Sequence, residues 1–250
     1  MQRSAMLYIP LLTFLIRYRR TALGPLWLVI GPSLFIAVLG YLYAEIGAAP
    51  PEQFIPHLAV GLVTWTLIGE FTNKAPTVYQ RGRANIMQGG MPLGDIVLID
   101  AMTTVISFLH QLIIFIPVFL IYSIPLTAYS VVSILGCGLL IVNGILFTRI
   151  FGILGSRYRD LSEVIKAIMR IAFLATPIIW IPGGTGRGGV MEAFLNYNPF
   201  YHFLELVRAP LLGNPIELTS WLAVLGFTFV GLLSERVINN RYDRYVPLWV

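Results

Sequence analysis

Six stretches of the chain stay apolar for about the length of a membrane crossing, and short clusters of charge separate them. The runs are Leu23–Ile46, Phe54–Phe71, Ile96–Ile124, Tyr129–Leu154, Leu161–Ile181 and Leu218–Ile238. About 20 helical residues cross the hydrocarbon of a bilayer, so the pattern predicts an all-α, polytopic membrane protein with six transmembrane helices. Pro32, Gly40, Pro117, Gly136, Gly138 and Pro177 fall inside the runs, where lipid-embedded helices tolerate them better than soluble ones do. No internal repeat or low-complexity tract interrupts the series, so residues 1–250 read as a single membrane domain.

The segment before the first run is apolar from Met6 to Ile16, which matches the core of a signal peptide in length. It contains Pro10, and RYRR follows it where a cleavage site would show small residues. Residues 1–22 therefore read as a cytoplasmic interfacial segment, a helix on the inner leaflet with Arg17, Arg19 and Arg20 near anionic headgroups. Met6–Ile16 itself shows no polar face.

Composition supports the membrane reading. Hydrophobic residues make up 57% of the chain and charged residues only 12%, about half the charged share of a soluble domain. The net charge is +5, but the cations sit between apolar runs, which argues for orientation in a membrane and not for nucleic acid. With the N-terminus inside, the cytoplasmic segments hold Arg3, Arg17, Arg19, Arg20, Lys74, Arg81, Arg83, Arg157, Arg159, Arg236, Arg241 and Arg244. The outer loops then hold Arg187 and Arg208, with Arg149, Lys166 and Arg170 in or near spans. This bias places both termini in the cytoplasm. The single Cys137 excludes a disulfide framework or a cysteine metal site within the chain.

The motifs of chemistry are missing. A P-loop needs Gly-Lys-Ser/Thr, and both lysines, Lys74 and Lys166, follow other residues. His202 and Glu205 form an HxxE pair without the second histidine of a zinc helix, and no GxSxG elbow occurs. His57 and His110 read as packing residues, and Asp95, Asp100 and His110 form only a loose cluster. The chain is expected to be no enzyme, to bind no metal and to carry no cofactor.

Features that suit a conduit remain. Residues 182–217 form the longest outer loop, with a Gly-rich stretch at Gly183–Gly189 and short helices predicted at Val190–Tyr197 and Tyr201–Leu212 around Asn198-Pro199. The pair reads equally as re-entrant helices forming an outer gate or as an amphipathic surface loop. Asn198, Pro199, Phe200, Glu205 and Arg208 are its candidate gate residues. The inner loop 73–95 carries Lys74, Arg81 and Arg83 and a short helix near Pro76–Met87, suited either to docking a soluble partner or to topology alone. Phe35, Tyr41, Tyr43, Phe173 and Trp180 are aromatics that either line a path or sit at interfaces. Lys166 and Arg170, four apart on one helix face, could draw an anionic headgroup into a cavity; snorkelling accounts for Lys166 equally well. Glu70 is placed to pair with Lys74, also four residues away.

The chain resembles the permeases of type 2 ABC transporters, in the branch that exports O-antigen and capsular polysaccharides. The matching stretches are RYRRTALGPLWLVIGP, AVGLVTWTLI, NIMQGGMPLGDIVL, SRYRDLSEVIKAI, TPIIWIP and NPFYHFLELVRAPLLGNP, in family order along nearly the whole chain. The resemblance implies a homodimer with two separate nucleotide-binding ATPase subunits that hold the Mg-ATP. It also implies an undecaprenyl-pyrophosphate-linked glycan as substrate and the bacterial inner membrane as location. By the same resemblance, the first and fifth spans line the path and loop 73–95 couples to the ATPase. Arg157, Arg159 and Asp160 form a second contact, the basic residues Arg17, Arg19 and Arg20 flank the ATPase, and Val190–Leu212 is the outer gate. Arg170 departs from the family pattern, in which an uncharged residue is expected. The rival readings are an exporter of lipids or drugs on the same permease fold and a membrane-embedded transferase.

Overall fold

A computed structural model describes residues 3–45, 50–89, 91–182 and 190–250. Gly183–Gly189, with its Arg187, lies outside the described residues, as does the side chain of Arg3. Among the described residues all regular structure is helical. The order is α1 (Arg3–Tyr18), α2 (Trp27–Glu45), α3 (Pro51–Lys74), α4 (Val78–Arg81), α5 (Arg83–Met87), α6 (Leu93–Gln111) and α7 (Phe115–Ile121). There follow α8 (Val132–Arg157), α9 (Leu161–Ala175), α10 (Val190–Tyr197), α11 (Pro199–Leu211), α12 (Leu218–Tyr242) and α13 (Val246–Trp249).

Among the described residues, five helical segments are long and apolar enough to cross a bilayer: Gly24–Tyr43, Pro51–Met87, Leu93–Ile121, Ala128–Arg157 and Leu218–Trp249. The fifth apolar run of the sequence, Leu161–Ile181, expected to form the fifth span, is not among these segments. Its helix, α9, has 15 residues, about 22 Å against a hydrocarbon core of about 30 Å. The stop is Pro177, whose ring disfavours the helical basin for the residue before it. Thr176 accordingly turns extended, with φ −91° and ψ 137°.

The chain ends of α9 and α11 are stitched together at this stop. The carbonyls of Leu174 and Ala175 lose their helical partners there, and the Trp180 indole donates to Leu174 (3.2 Å) while the Asn198 amide donates to Ala175 (3.5 Å). Asn198 also donates to Thr176 Oγ1 (3.0 Å) and, through Oδ1, accepts from the Phe200 amide at the first turn of α11 (3.0 Å). One side chain thus caps the start of one helix and the end of another.

The middle of the bundle is α3. Its apolar window is 72% buried, against 11% for α2 and 6% for α12, which lie at the edge. α8 packs on α3, α4, α11 and α12, and glycines eight residues apart face the first three of these. A Cβ at Gly136 would stand 2.4 Å from the Leu206 carbonyl oxygen, one at Gly144 2.5 Å from the Phe71 ring, and one at Gly152 2.6 Å from Val78. Small residues let helices approach closely in lipid, where packing replaces the hydrophobic drive.

Most of the buried apolar residues among those described fall into two clusters. The larger one surrounds α3 and includes Phe54, Leu58, Val63, Leu67, Phe71 and Ile178. The smaller one gathers Val78, Tyr79 and Ile86 of the inner segment with Ile96, Val97, Ile153 and Val246. Ile145 packs against both.

α1 rests on α6, with Phe14 buried and its ring 4.7 Å from that of His110. Its outward residues Leu11, Leu12, Leu15 and Ile16 are apolar and exposed.

Candidate functional site

The cavity with the most distinctive lining opens between α3 and α9. It measures about 640 Å³ and is lined by Trp65, Asn73, Lys166, Met169, Arg170, Phe173 and Leu174. Lys166, Arg170 and Phe173 share it because residues four and seven apart stack on one helix face. Lys166 pairs with Glu163 at 2.7 Å. Arg170 makes a long bond to the Lys166 carbonyl (3.4 Å), and no carboxylate among the described residues pairs with it. Trp65 forms the aromatic wall, with Phe173 at 5.8 Å on one side and Phe200 edge-on at 5.5 Å on the other. Cations, an amide and aromatic faces around an open cavity can hold an anionic or sugar-bearing group.

The other aromatic candidates lie elsewhere. Phe35 and Tyr41 of α2 are exposed, and Tyr43 stacks on Phe54 at 4.2 Å. Trp180 spends its N–H on the end of α9. Sequence reasoning missed Trp65 and Asn73. The run AVGLVTWTLI reads as uniformly apolar, and only the packing of α9 against α3 brings Trp65 to a cavity that Lys166 and Arg170 also line.

At the end expected from the charge bias to face outward, the candidate gate residues form a buried polar knot. Arg208 is 3% exposed, pairs with Glu205 and donates to the Pro177 carbonyl at 2.5 Å. Its Nη1 also lies 2.9 Å from His57 Nε2. The same nitrogen lies 3.1 Å from the Pro177 and Trp180 carbonyls, so it accepts from the guanidinium, which has donors only, in one tautomer and donates to a carbonyl in the other. Arg208, counted as an outer-loop cation from sequence, and His57, read as packing, are therefore parts of one network joining α3, α11 and the turn after α9. Pro199 opens α11, and Phe200 reaches in to Trp65. His202 uses both ring nitrogens, with Nε2 donating to the Asn196 carbonyl (2.9 Å) and Nδ1 accepting from Ser220 (3.0 Å). Neither is free for a metal, and the described residues hold no cluster of three or more metal-ligating side chains.

At the opposite end, expected to face inward, residues 75–87 fold onto the end of α8. Gln80 donates to the Gly155 carbonyl at 3.2 Å, and a Cβ at Gly155 would stand 2.1 Å from the Pro76 carbonyl oxygen. Arg81 bonds Asp100 of α6 at 2.7 Å and the Lys74 carbonyl at 2.9 Å, and Lys74 pairs with Glu70. Arg83 stays exposed, as do Arg157, Arg159 and Asp160 at the turn between α8 and α9. The structure thus brings the 75–87 segment and the α8–α9 turn to one inner surface. Arg17, Arg19 and Arg20 are exposed at and beyond the end of α1.

Arg149, in the inner half of α8, bonds Glu235 at 3.0 Å and Asp243 at 3.5 Å. Pairing of this kind is how charges persist within a bundle.

Comparison with known proteins gives a family and two relatives. A family described as the ABC-2 type transporter matches residues 12–212. Two O-antigen export system permease proteins, both RfbA of Klebsiella pneumoniae, are each 22% identical to this chain. One aligns over 238 residues, covering 91% of this chain and 89% of its own. The other aligns over 242 residues, covering 93% and 90%.

Proposed function

The chain belongs to the ABC-2 type transporter family, as a multi-pass membrane permease subunit, and on that premise we propose that it exports a lipid-linked polysaccharide. The names of its relatives supply the substrate class. The cavity supplies the supporting observation: Lys166 and Arg170 stand beside Trp65 and Phe173, the chemistry wanted for an anionic lipid carrying sugars.

In this reading two copies pack side by side in the bacterial inner membrane, with both termini cytoplasmic and two ATPase subunits below. The turn after α9 completes a sixth crossing together with the α10–α11 pair, which forms the outer gate. Phe35, Tyr41, Tyr43 and Trp180 border the path where the copies meet. ATP binds in the partner subunits and drives the inner surface around Arg83, Arg157, Arg159 and Asp160. The cycle does work because the partner binds two permease states with different affinity. Residues 1–22 lie at the inner leaflet.

Co-expression of this chain with the ATPase encoded beside it, in cells scored for surface polysaccharide, tests the reading. Export should need both proteins. Replacing Lys166 and Arg170 together by Gln should lower export at least tenfold while the complex still assembles. Undiminished polysaccharide without the chain, together with lipid or drug efflux that depends on it, would transfer the assignment to the rival exporter class.

A further inference from the structure

We propose that the inner end of the molecule carries a docking surface for anionic phospholipid headgroups, built where the C-terminal turn folds back onto α8. The surface does not depend on what the protein transports.

α12 has 25 residues, about 37 Å of helix against a core of about 30 Å. Its inner end therefore reaches the headgroup layer and little further. There the chain reverses through the turn Asp243–Tyr245 into α13, which packs on α8 and α5. Val246, with no exposed surface, anchors the turn in the smaller apolar cluster.

Three arginines gather around this turn, and every described cation–π pair involves them. Arg157 lies 6.0 Å from the Tyr158 ring and 5.8 Å from that of Trp249, Arg241 lies 5.7 Å from Tyr242, and Arg244 lies 4.8 Å from Tyr245. The rings adjoin one another, with Tyr245 and Trp249 stacked at 5.7 Å and Tyr242 and Trp249 at 6.3 Å. All three arginines are exposed, and none has a carboxylate partner among the described residues. Arg81 and Arg208 each have one, and Arg149 has two. Other exposed arginines, such as Arg83 and Arg159, have no carboxylate partner either; what marks this corner is that its three arginines rest on aromatic rings.

A guanidinium resting on a ring keeps its N–H edge free, the geometry that grips a phosphate with two parallel hydrogen bonds. Tyr and Trp favour the membrane interface. Leu248, on the same short helix, is 78% exposed, a cost in water that the acyl boundary removes. Cations, interfacial rings and an apolar tip at headgroup depth fit an anionic leaflet better than the acidic face of a soluble protein. Tyr242 and Trp249 also pack against the cluster that holds Val78, Tyr79 and Ile86, so a bound headgroup would stiffen the inner segment.

The full chain, reconstituted in vesicles of phosphatidylcholine with or without phosphatidylglycerol, tests this through tryptophan quenching by brominated lipid. Trp249→Phe identifies the Trp249 signal among the five tryptophans. Brominated phosphatidylglycerol should quench Trp249 more than an equal fraction of brominated phosphatidylcholine. Arg241→Gln and Arg244→Gln should each reduce the anionic preference roughly fivefold, the ratio for about 1 kcal/mol per basic residue. Arg241→Lys and Arg244→Lys, which keep charge but lose the planar stack, should fall between, and elution as folded protein separates these losses from unfolding. Equal quenching by the two lipids, or an excess that survives both Gln substitutions, would overturn the proposal. So would an absent lipid preference with Arg244→Cys cross-linking to the ATPase, which would assign the surface to that partner.

Discussion

Arg208 shows how a single residue can change role between sequence and structure. Its guanidinium joins Glu205, His57 and the Pro177 carbonyl inside the protein, and removing one partner of a buried ion pair leaves the other uncompensated. Arg208→Met should cost roughly 3 kcal/mol of stability, read as a fall in thermal midpoint in detergent. Glu205→Gln in the same chain should restore part of it, and strictly additive losses would show that the pair is not coupled. At Gly155 the constraint is space, since Pro76 leaves no room for a Cβ. Gly155→Val should destabilise by about 1–3 kcal/mol through overpacking. Residues 75–87 should then become more open to limited proteolysis, and an unchanged digestion pattern would argue that the contact is loose.

At the scale of elements, most helices were legible because apolar runs of span length have few alternatives in lipid. The Glu70–Lys74 pair and the shared face of Lys166, Arg170 and Phe173 were legible too, since helical spacing fixes which neighbours meet. Contacts across sequence were not. His57 and Arg208 are 151 positions apart, and no local pattern announces such a meeting. Asp100 looked like part of a loose acidic cluster, yet it is the partner of Arg81. The end of α9 was written in Thr176-Pro177, but a proline inside a long apolar run reads as a tolerated kink until the helix is seen to stop. Asn198 holds that stop, so Asn198→Ala should cost about 1 kcal/mol for the lost cap and more for the lost bonds to α9. Hydrogen exchange should rise in both α9 and the start of α11; a rise confined to α11 would mean that the link between the helices carries no weight.

For the whole molecule, the inner segment is held on three sides, by Arg81 to α6, by Gln80 to α8 and by Val246 beneath the C-terminal turn. Residues 75–87 should therefore move together with α6 and α8. Arg81→Ala in the assembled transporter should leave ATP hydrolysis running while export falls several-fold, and a parallel loss of both would indicate failed assembly instead. The division of the buried residues into two clusters that share Ile145 has a further consequence. Buried side chains of the 75–87 segment (Val78, Tyr79 and Ile86) belong to one packing unit and those around the cavity to the other, so each can accumulate changes without repacking its neighbour. On the proposed reading, lineages could thus trade one energy-supplying partner for another while keeping their cargo, and a chimaera exchanged at the boundary between the clusters should fold where one cut through either of them would not.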